Sequence, residues 1–514
     1  MIPLRLAREL TYQLDNAHEH ERLARVLAAI PLLLTYYETE HQSEFLSLWN
    51  KVSTSAIRPE EYYVSSLNQL RDSANAMLPE ALKAVEWVFH ARGRWALCVE
   101  LLEELLDIAK QNGNKLYALK AKQGLSRAVR RLGNDSLAME HAVEALEIAE
   151  TLHDTKGIAV AVGTIAGAYQ ELGNYDEAQR HYERSIHLAD AIGNKRISQA
   201  ATGNLGIIHW YKGQLDKAMV CFEQGFQIAE SIGERNAMAR MVGNKGLIYR
   251  AKGLFEKAIQ SYRDQFEIGE SLGDNSTMSH ALGNMGNSYL ELGYYNAALD
   301  CYDRRLLFAI GSPREIAQSL LGKGETLHLL GQHEDALRVL TDALEKNTSV
   351  GNLHQVIDTH AILAEEFLLL ANESQKPSWF EEFVIYSSDA NDWREQFLNA
   401  AEKSAQQCLS LSISLNKQRL VFGSKIILSC IEGVRKNVSS AEKQLQAMLT
   451  EAADEEQIAD LHFWLWKVSG KDSNYHQALA RYSVLVDHIP KFEFRKRIAE
   501  LKGERIPKSA DEED

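Results

Sequence analysis

The sequence predicts an all-α solenoid of helix–turn–helix hairpins with a helical cap at each end. Three observations carry that prediction. The phrase Gly-Asn-x-Gly stands at Gly203–Gly206, Gly243–Gly246 and Gly283–Gly286, each copy 40 residues from the next. A second glycine series (Gly133, Gly173, Gly213, Gly253, Gly293) and a third (Gly193, Gly233, Gly273) keep the same period. A fixed period of this length marks stacked units, each burying its apolar face on its neighbours. The presence of only eight prolines in 514 residues suits long helices.

Hydrophobic residues make up 45% of the chain and charged residues 25%, the balance of a soluble protein. A net charge of −15 argues against a general nucleic-acid binder, which needs a basic face for phosphates. Cys98, Cys221, Cys301, Cys408 and Cys430 form no CxxC pair. Cys221 and Cys301 fall at apolar positions of the repeats and read as buried, reduced thiols. The start, Met1-Ile2-Pro3-Leu4-Arg5, lacks the apolar core of a signal peptide, and no apolar run is long enough for a membrane span. The expectation is a cytoplasmic protein with neither a membrane nor a nucleic-acid partner.

Taken in order, residues 1–75 fall outside the period. Leu6, Leu10 and Leu14, then Leu23, Val26, Leu27 and Ile30, keep helical spacing and predict short amphipathic helices that cap the array. The regular array occupies 76–351. In the unit from Gly203 to Gly233, a first helix ends at Gly213, Asp216 is placed to cap the second, and Ala218 and Phe222 point into the stack. Small residues recur as Ala138, Ala178, Ala258, Ala298 and Ala336, and aromatic ones as Tyr182, Tyr262 and Tyr302. Residues 352–415 read as an irregular repeat with an inserted loop at 372–392. Trp379, Phe380 and Phe383 leave that loop either functional or slack. Repeats resume over 416–490, where Ala478, Tyr482 and Pro490 restore the spacing, and 491–514 forms a capping helix and an acidic tail.

The small/aromatic order, with Gly206 and Ala218 as small positions and Leu205 and Phe222 as large ones, resembles the tetratricopeptide repeat. The usual unit has about 34 residues; the longer period here implies that each helix gains nearly a turn. Long repeats with a Gly-Asn-x-Gly phrase resemble those of Pins-type spindle adaptors, kinesin light chains and Rap-type peptide-sensing regulators. The resemblance implies a right-handed superhelical solenoid with the first helices on its concave face. Residues 8–49, with Arg8–Leu14, Glu21–Leu23 and Phe45–Trp49, loosely resemble the connector of NACHT-type NTPases, although no GxxxxGK[ST] loop occurs. A helical cap over the first repeat is the other reading of that segment.

Catalytic signatures are absent. The 17 histidines form neither HExxH nor a metal-ligand cluster, Gly322-Lys323-Gly324 lacks the rest of a phosphate loop, and neither Cys408 nor Cys430 sits in a protease motif. The expectation is a non-enzyme without cofactor or metal. Asn204, Asn244 and Asn284 instead recur at one position of successive first helices. A carboxamide both donates and accepts, so such a row can clasp the backbone of an extended peptide; the resembled families place asparagine there for that purpose. The other role open to the three is bonding a neighbouring helix to fix repeat spacing. Thr164 and Gly322 replace asparagine in the flanking units, which limits the ladder to three rungs.

Helical spacing adds Arg240, Arg250, His280 and Asn287 around the rungs, and Arg127 with Lys120 and Arg130 at the basic N-terminal end. These cations suit a partner with acidic residues; for Arg127, Arg130 and Arg131 a solvated helix end is the plainer account. Trp464 and Trp466 read as core. The function expected is a scaffold that binds a peptide segment of a partner protein in the concave groove. The alternative is a ligand- or peptide-responsive regulator that works with a separate effector. The sequence leaves the partner's identity and the oligomeric state open.

Overall fold

The 40-residue period has a simple mechanical origin. Helices of 17 residues alternate with three-residue turns, as in Lys195–Tyr211 and Leu215–Ser231. Two such helices and two turns fill one period. At each turn a glycine takes the left-handed conformation that ends a helix, for example Gly193 at φ +65° and Gly213 at φ +71°. In the early repeats an asparagine follows that glycine and caps the next helix. Asn194 accepts from the Ile197 backbone N–H at 3.1 Å, and Asn114, Asn134 and Asn174 cap in the same way. The cap expected from Asp216 is not formed. The N-cap of its helix is Gln214, without a side-chain bond, and Asp216 lies one position inside the first turn, where its carboxylate still favours the positive end of the helix.

The computed structural model describes residues 4–503 except 38, 40–41, 54–56, 74, 133, 310–312, 374, 380–391, 436 and 490. Most of the 372–392 insertion, the acidic tail, Gly133 and Pro490 therefore lie outside the described residues. Two compact units are distinguished: Met1–Ile248 with Ile268–Asp274, and Tyr249–Glu267 with Asn275–Asp514.

The first unit opens with α1 (Leu4–Asn16), α2 (His20–Leu27), α3 (Ile30–Tyr37), α4 (Gln42–Val52) and α5 (Pro59–Asp72). Hairpins α6 (Leu78–Ala91)/α7 (Trp95–Gln111), α8 (Lys115–Arg131)/α9 (Asp135–Thr151), α10 (Thr155–Glu171)/α11 (Tyr175–Ala191) and α12 (Lys195–Tyr211)/α13 (Leu215–Ser231) follow. Helices α14 (Arg235–Ala251) and α15 (Phe255–Leu272) each contribute to both units. The cap shares one core with the first hairpins: Trp49, Tyr63 and Phe89 are buried together with Leu105 and Leu125. Trp49 Nε1 donates to the Tyr63 hydroxyl at 3.0 Å, which itself donates to the Leu27 carbonyl at 3.1 Å. The buried stripe of α1 is Ala7, Thr11 and Leu14, not the expected leucine stripe; Leu6 and Leu10 face water because Thr11 turns inward against Tyr36.

The second unit contains hairpins α16 (Asn275–Leu292)/α17 (Tyr295–Phe308), α18 (Pro313–Leu329)/α19 (His333–Ser349), α20 (Leu353–Ala371)/α21 (Trp393–Ser414), α22 (Gln418–Val434)/α23 (Val438–Met448) and α24 (Glu455–Ser469)/α25 (Asp472–His488). The last helix, α26 (Phe492–Lys502), folds back so that the Phe492 ring covers Gly293 and meets Tyr295 edge-on at 5.5 Å. Trp464 and Trp466, expected in the core, are half-buried and pack against its Phe463.

The phrase glycines are sites of close approach. A Cβ on Gly206 would lie 2.6 Å from the Phe222 ring, and one on Gly286 would lie 2.9 Å from that of Tyr302. Gly203 receives the Met241 side chain of the next first helix. Gly206→Ala is therefore expected to destabilise the first unit by about 1–3 kcal/mol through overpacking. Gly423→Ala, in open space on α22, should be neutral or gain about 0.5–1 kcal/mol from helix propensity. Denaturant midpoints of the two variants against wild type provide the check.

Candidate functional site

The three asparagines sit at equivalent places on their helices: Asn204 on α12, Asn244 on α14 and Asn284 on α16. The first two belong to the first unit and Asn284 to the second. Between Gly203 and Gly206, which meet Met241 and Phe222, lie Leu205, which is buried, and Asn204, which is not. All three asparagines are half-buried. Among the described residues, none of their carboxamides hydrogen-bonds another group; the Ser288 hydroxyl reaches only the backbone carbonyl of Asn284, at 3.0 Å. The flanking Thr164, by contrast, donates to its own helix at the Val160 carbonyl.

The surrounding residues divide into committed and free. Asn287 accepts the Tyr302 hydroxyl at 2.7 Å, so its oxygen is engaged within the second unit. His280 is exposed, with Nε2 3.7 Å from Glu315, whose other oxygen takes the Ser279 hydroxyl at 2.6 Å. Arg250, half-buried in the second unit, lies close enough to the Tyr262 and Tyr302 hydroxyls to favour their ionised forms against the stronger effect of burial. Arg240 is exposed and makes no ion pair among the described residues, since nearby Glu234 is taken by Arg196. Partial desolvation by neighbouring side chains pulls its guanidinium pKa down, against the opposing field of Glu234. Arg127 is exposed on α8, whereas Arg130 lies across Gly167 and Arg131 stacks over Trp95 at 5.7 Å.

A group that sequence reasoning missed lies within the second unit, where α16–α18, α20, α22 and α24–α26 line a cavity of about 830 Å³. Glu325 faces it without a hydrogen-bond or ion-pair partner among the described residues, and burial, then Glu291, push its carboxyl up to about 7. Buried Glu366 joins His328 and His333, accepting from His333 Nδ1 at 2.7 Å. Burial disfavours ionised Glu366, but the two histidine bonds outweigh it and hold its pKa low. Asp460 accepts the Tyr482 hydroxyl and is pushed up to about 6 by burial. Arg497 loses charge stability to burial but regains more from Glu493, Tyr482 and Asp460, and its pKa ends raised. These groups come from helices far apart in the chain and share no motif.

The five cysteines are buried and unpaired, and burial raises every thiol pKa, to about 12 for Cys430, so Cys408 and Cys430 are not activated nucleophiles. Among the described residues no group of three or more His, Cys, Asp or Glu side chains is arranged for a metal ion. No described helix is long and apolar enough to cross a membrane.

Family models described as tetratricopeptide repeat match residues 157–231, 239–268 with 279–304, and 317–340. With the helix pairing above, these matches define the class: an all-α solenoid of tetratricopeptide helix–turn–helix units. No curated protein sequence matches the chain. Among solved structures, similarity extends to BtubC (BKLC) from P. vanneervenii, at 18% identity and TM-score 0.38, covering 41% of this chain and 91% of that one. It extends to the apo form of RapI, at 14% and 0.41, covering 54% and 98%. A Rap protein complexed with Competence and Sporulation Factor matches at 14% and 0.46, covering 68% and 99%.

The elevated Glu325 pKa makes a prediction about stability. A carboxyl held near 7 in the fold and near 4.3 when unfolded keeps its proton longer in the native state, so stability falls as pH rises through that window. Glu325→Gln should flatten this fall and exceed wild type in stability above pH ~7, with the difference vanishing below pH ~4.3. Denaturant midpoints measured across this pH range provide the check.

Proposed function

We propose that this chain is a non-catalytic interaction scaffold whose first-helix face holds an extended segment of a partner protein. In the first unit, Asn204 and Asn244 grip the backbone of that segment from successive repeats; Asn284 offers the same grip within the second unit. The observation that carries the reading is that three repeat-equivalent carboxamides, each half-buried, bond no described group. An asparagine that fixed repeat spacing would be bonded to the neighbouring helix. Unbonded carboxamides suit a polypeptide main chain, which presents both N–H and C=O. Arg240, and Arg250 in the second unit, favour a segment carrying acidic residues. Reduced, buried cysteines suit a cytoplasmic setting.

A second reading has its own support in the 830 Å³ cavity roofed by α26. In it, a small ligand or peptide enters the second unit and alters what the chain binds, making it a regulator for a separate effector.

The test is a pull-down from native lysate with wild type beside Asn204→Ala/Asn244→Ala/Asn284→Ala, with circular dichroism confirming that both fold. Each lost backbone contact is worth about 1 kcal/mol net, so partner retention should fall at least tenfold. Equal capture by both proteins would refute the asparagine grip. Ligand-induced compaction seen by small-angle scattering, unchanged in the triple variant, would favour the regulator.

A further inference from the structure

The two walls of the 830 Å³ cavity in the second unit carry their charges differently. On the first-helix wall each of three helices that lie side by side contributes one carboxylate: Glu291 on α16, Glu325 on α18 and Glu365 on α20. Aliphatic side chains stand among them, Leu290, Leu329 and Ile362, one from each of the same helices. Neither Glu291 nor Glu325 has a hydrogen-bond or ion-pair partner among the described residues, and Glu365 has only His328 Nε2, at 3.9 Å.

The wall built from α24 and α26 has settled its own charges. Arg497 pairs with Glu493 at 3.1 Å, Lys491 with Glu456 at 3.4 Å and Lys467 with Glu500. Lys496 is the lysine of that wall left without a partner among the described residues, and its field falls on His328, which Glu366 already holds. The charge surplus in the cavity is therefore negative and belongs to the first-helix wall. Burial, then Glu291, keep a proton on Glu325 up to about 7, with His328 opposing. A cation beside that carboxyl would favour its ionised form and displace the proton. Tyr295 lines the same cavity close enough to Glu325 to feel its charge, and adds an aromatic surface.

The spacing of the acids selects the occupant. A metal ion needs ligands that converge on one point, and no three such groups among the described residues do so. One ammonium would answer one carboxylate and leave the others bare. Packed helices lie about 8–10 Å apart, a step that a short run of methylene groups spans. Linear polyamines carry their charges at such steps, and their methylenes suit the aliphatic side chains among the acids. The volume is that of a site for a small molecule.

We propose that the second unit binds a linear polyamine in this cavity, extended across α16, α18 and α20, with ammonium groups on Glu291, Glu325 and Glu365 and methylenes against Leu290, Leu329 and Ile362. The proposal rests on the ligand-responsive reading above and supplies the chemical class of its ligand.

Isothermal titration calorimetry of the full chain with spermidine tests the site. Wild type should bind spermidine, and should bind an octanediol of the same length, with terminal hydroxyls in place of amines, at least about tenfold less tightly. Glu291→Gln/Glu325→Gln should weaken spermidine at least about tenfold, the scale of a lost charge-assisted bond. Glu103→Gln/Glu147→Gln removes the same charge from exposed positions on α7 and α9 and should bind as wild type does. Circular dichroism would verify that both variants fold. No binding by wild type, equal binding of the diol, or undiminished binding by Glu291→Gln/Glu325→Gln overturns the site. So does an equal loss in the exposed pair, which would reduce the binding to general attraction toward a chain of net charge −15. Small-angle scattering separates the site from the reading beneath it. Spermidine bound without compaction supports the site and removes the regulator; compaction by another ligand where spermidine fails to bind removes the site and keeps the regulator.

Discussion

A bulky side chain seated on a bare stretch of helix backbone is the contact from which the rest of this architecture derives. Phe222 rests on Gly206, Tyr302 on Gly286 and Leu340 on Gly324, in each case a second helix closing on the first helix of its own hairpin. That seat fixes the distance between the two helices and also the rotation of the first helix about its own axis. With Gly203 and Gly206 seated on Met241 and Phe222, the two residues between them part: Leu205 is buried and Asn204 stays half-buried. Dispersion and apolar burial hold the seat, since Phe222 and Tyr302 are almost wholly removed from water.

The basic residues show why counting charge in the sequence misleads. Arg130 fills the space over Gly167, Arg131 covers Trp95, and Arg305 is buried while donating to Gln318 at 2.9 Å. These guanidiniums do structural work that a hydrophobic residue of equal volume could share. Lys120, Arg127 and Arg240 are held differently: each is exposed and within electrostatic reach of a glutamate (Glu80, Glu86 and Glu234), yet none closes an ion pair among the described residues.

Much of the fold was legible because the period is a property of the backbone. Turn glycines, small/aromatic order and helix lengths all repeat, and each repeat reads the same way. The equivalent positions of Asn204, Asn244 and Asn284 on their helices were legible for the same reason. Legibility stopped where a feature occurs once. Whether Asn287 is free depends on the Tyr302 hydroxyl one helix away, and whether Arg127 and Arg131 are equivalent depends on Trp95. The cavity around Glu325 draws on helices from Leu290 to Glu500, a separation at which no spacing rule operates. Asp216 lies two residues past the actual cap, because the turn is two residues shorter than an Asp216-capped helix start would need.

The return of α26 gives the second unit a topology that its repeats alone would not. In an open array each hairpin touches only the next, so units can fray from the ends one at a time. Here the Phe492 ring bears on Gly293 and Tyr295, which lie some 200 positions earlier in the chain. A loop closed over that length carries a large entropic cost before any contact rewards it. The consequence is one of order: the contact that ties Gly293 and Tyr295 to α26 can form only after the helices between them have been made.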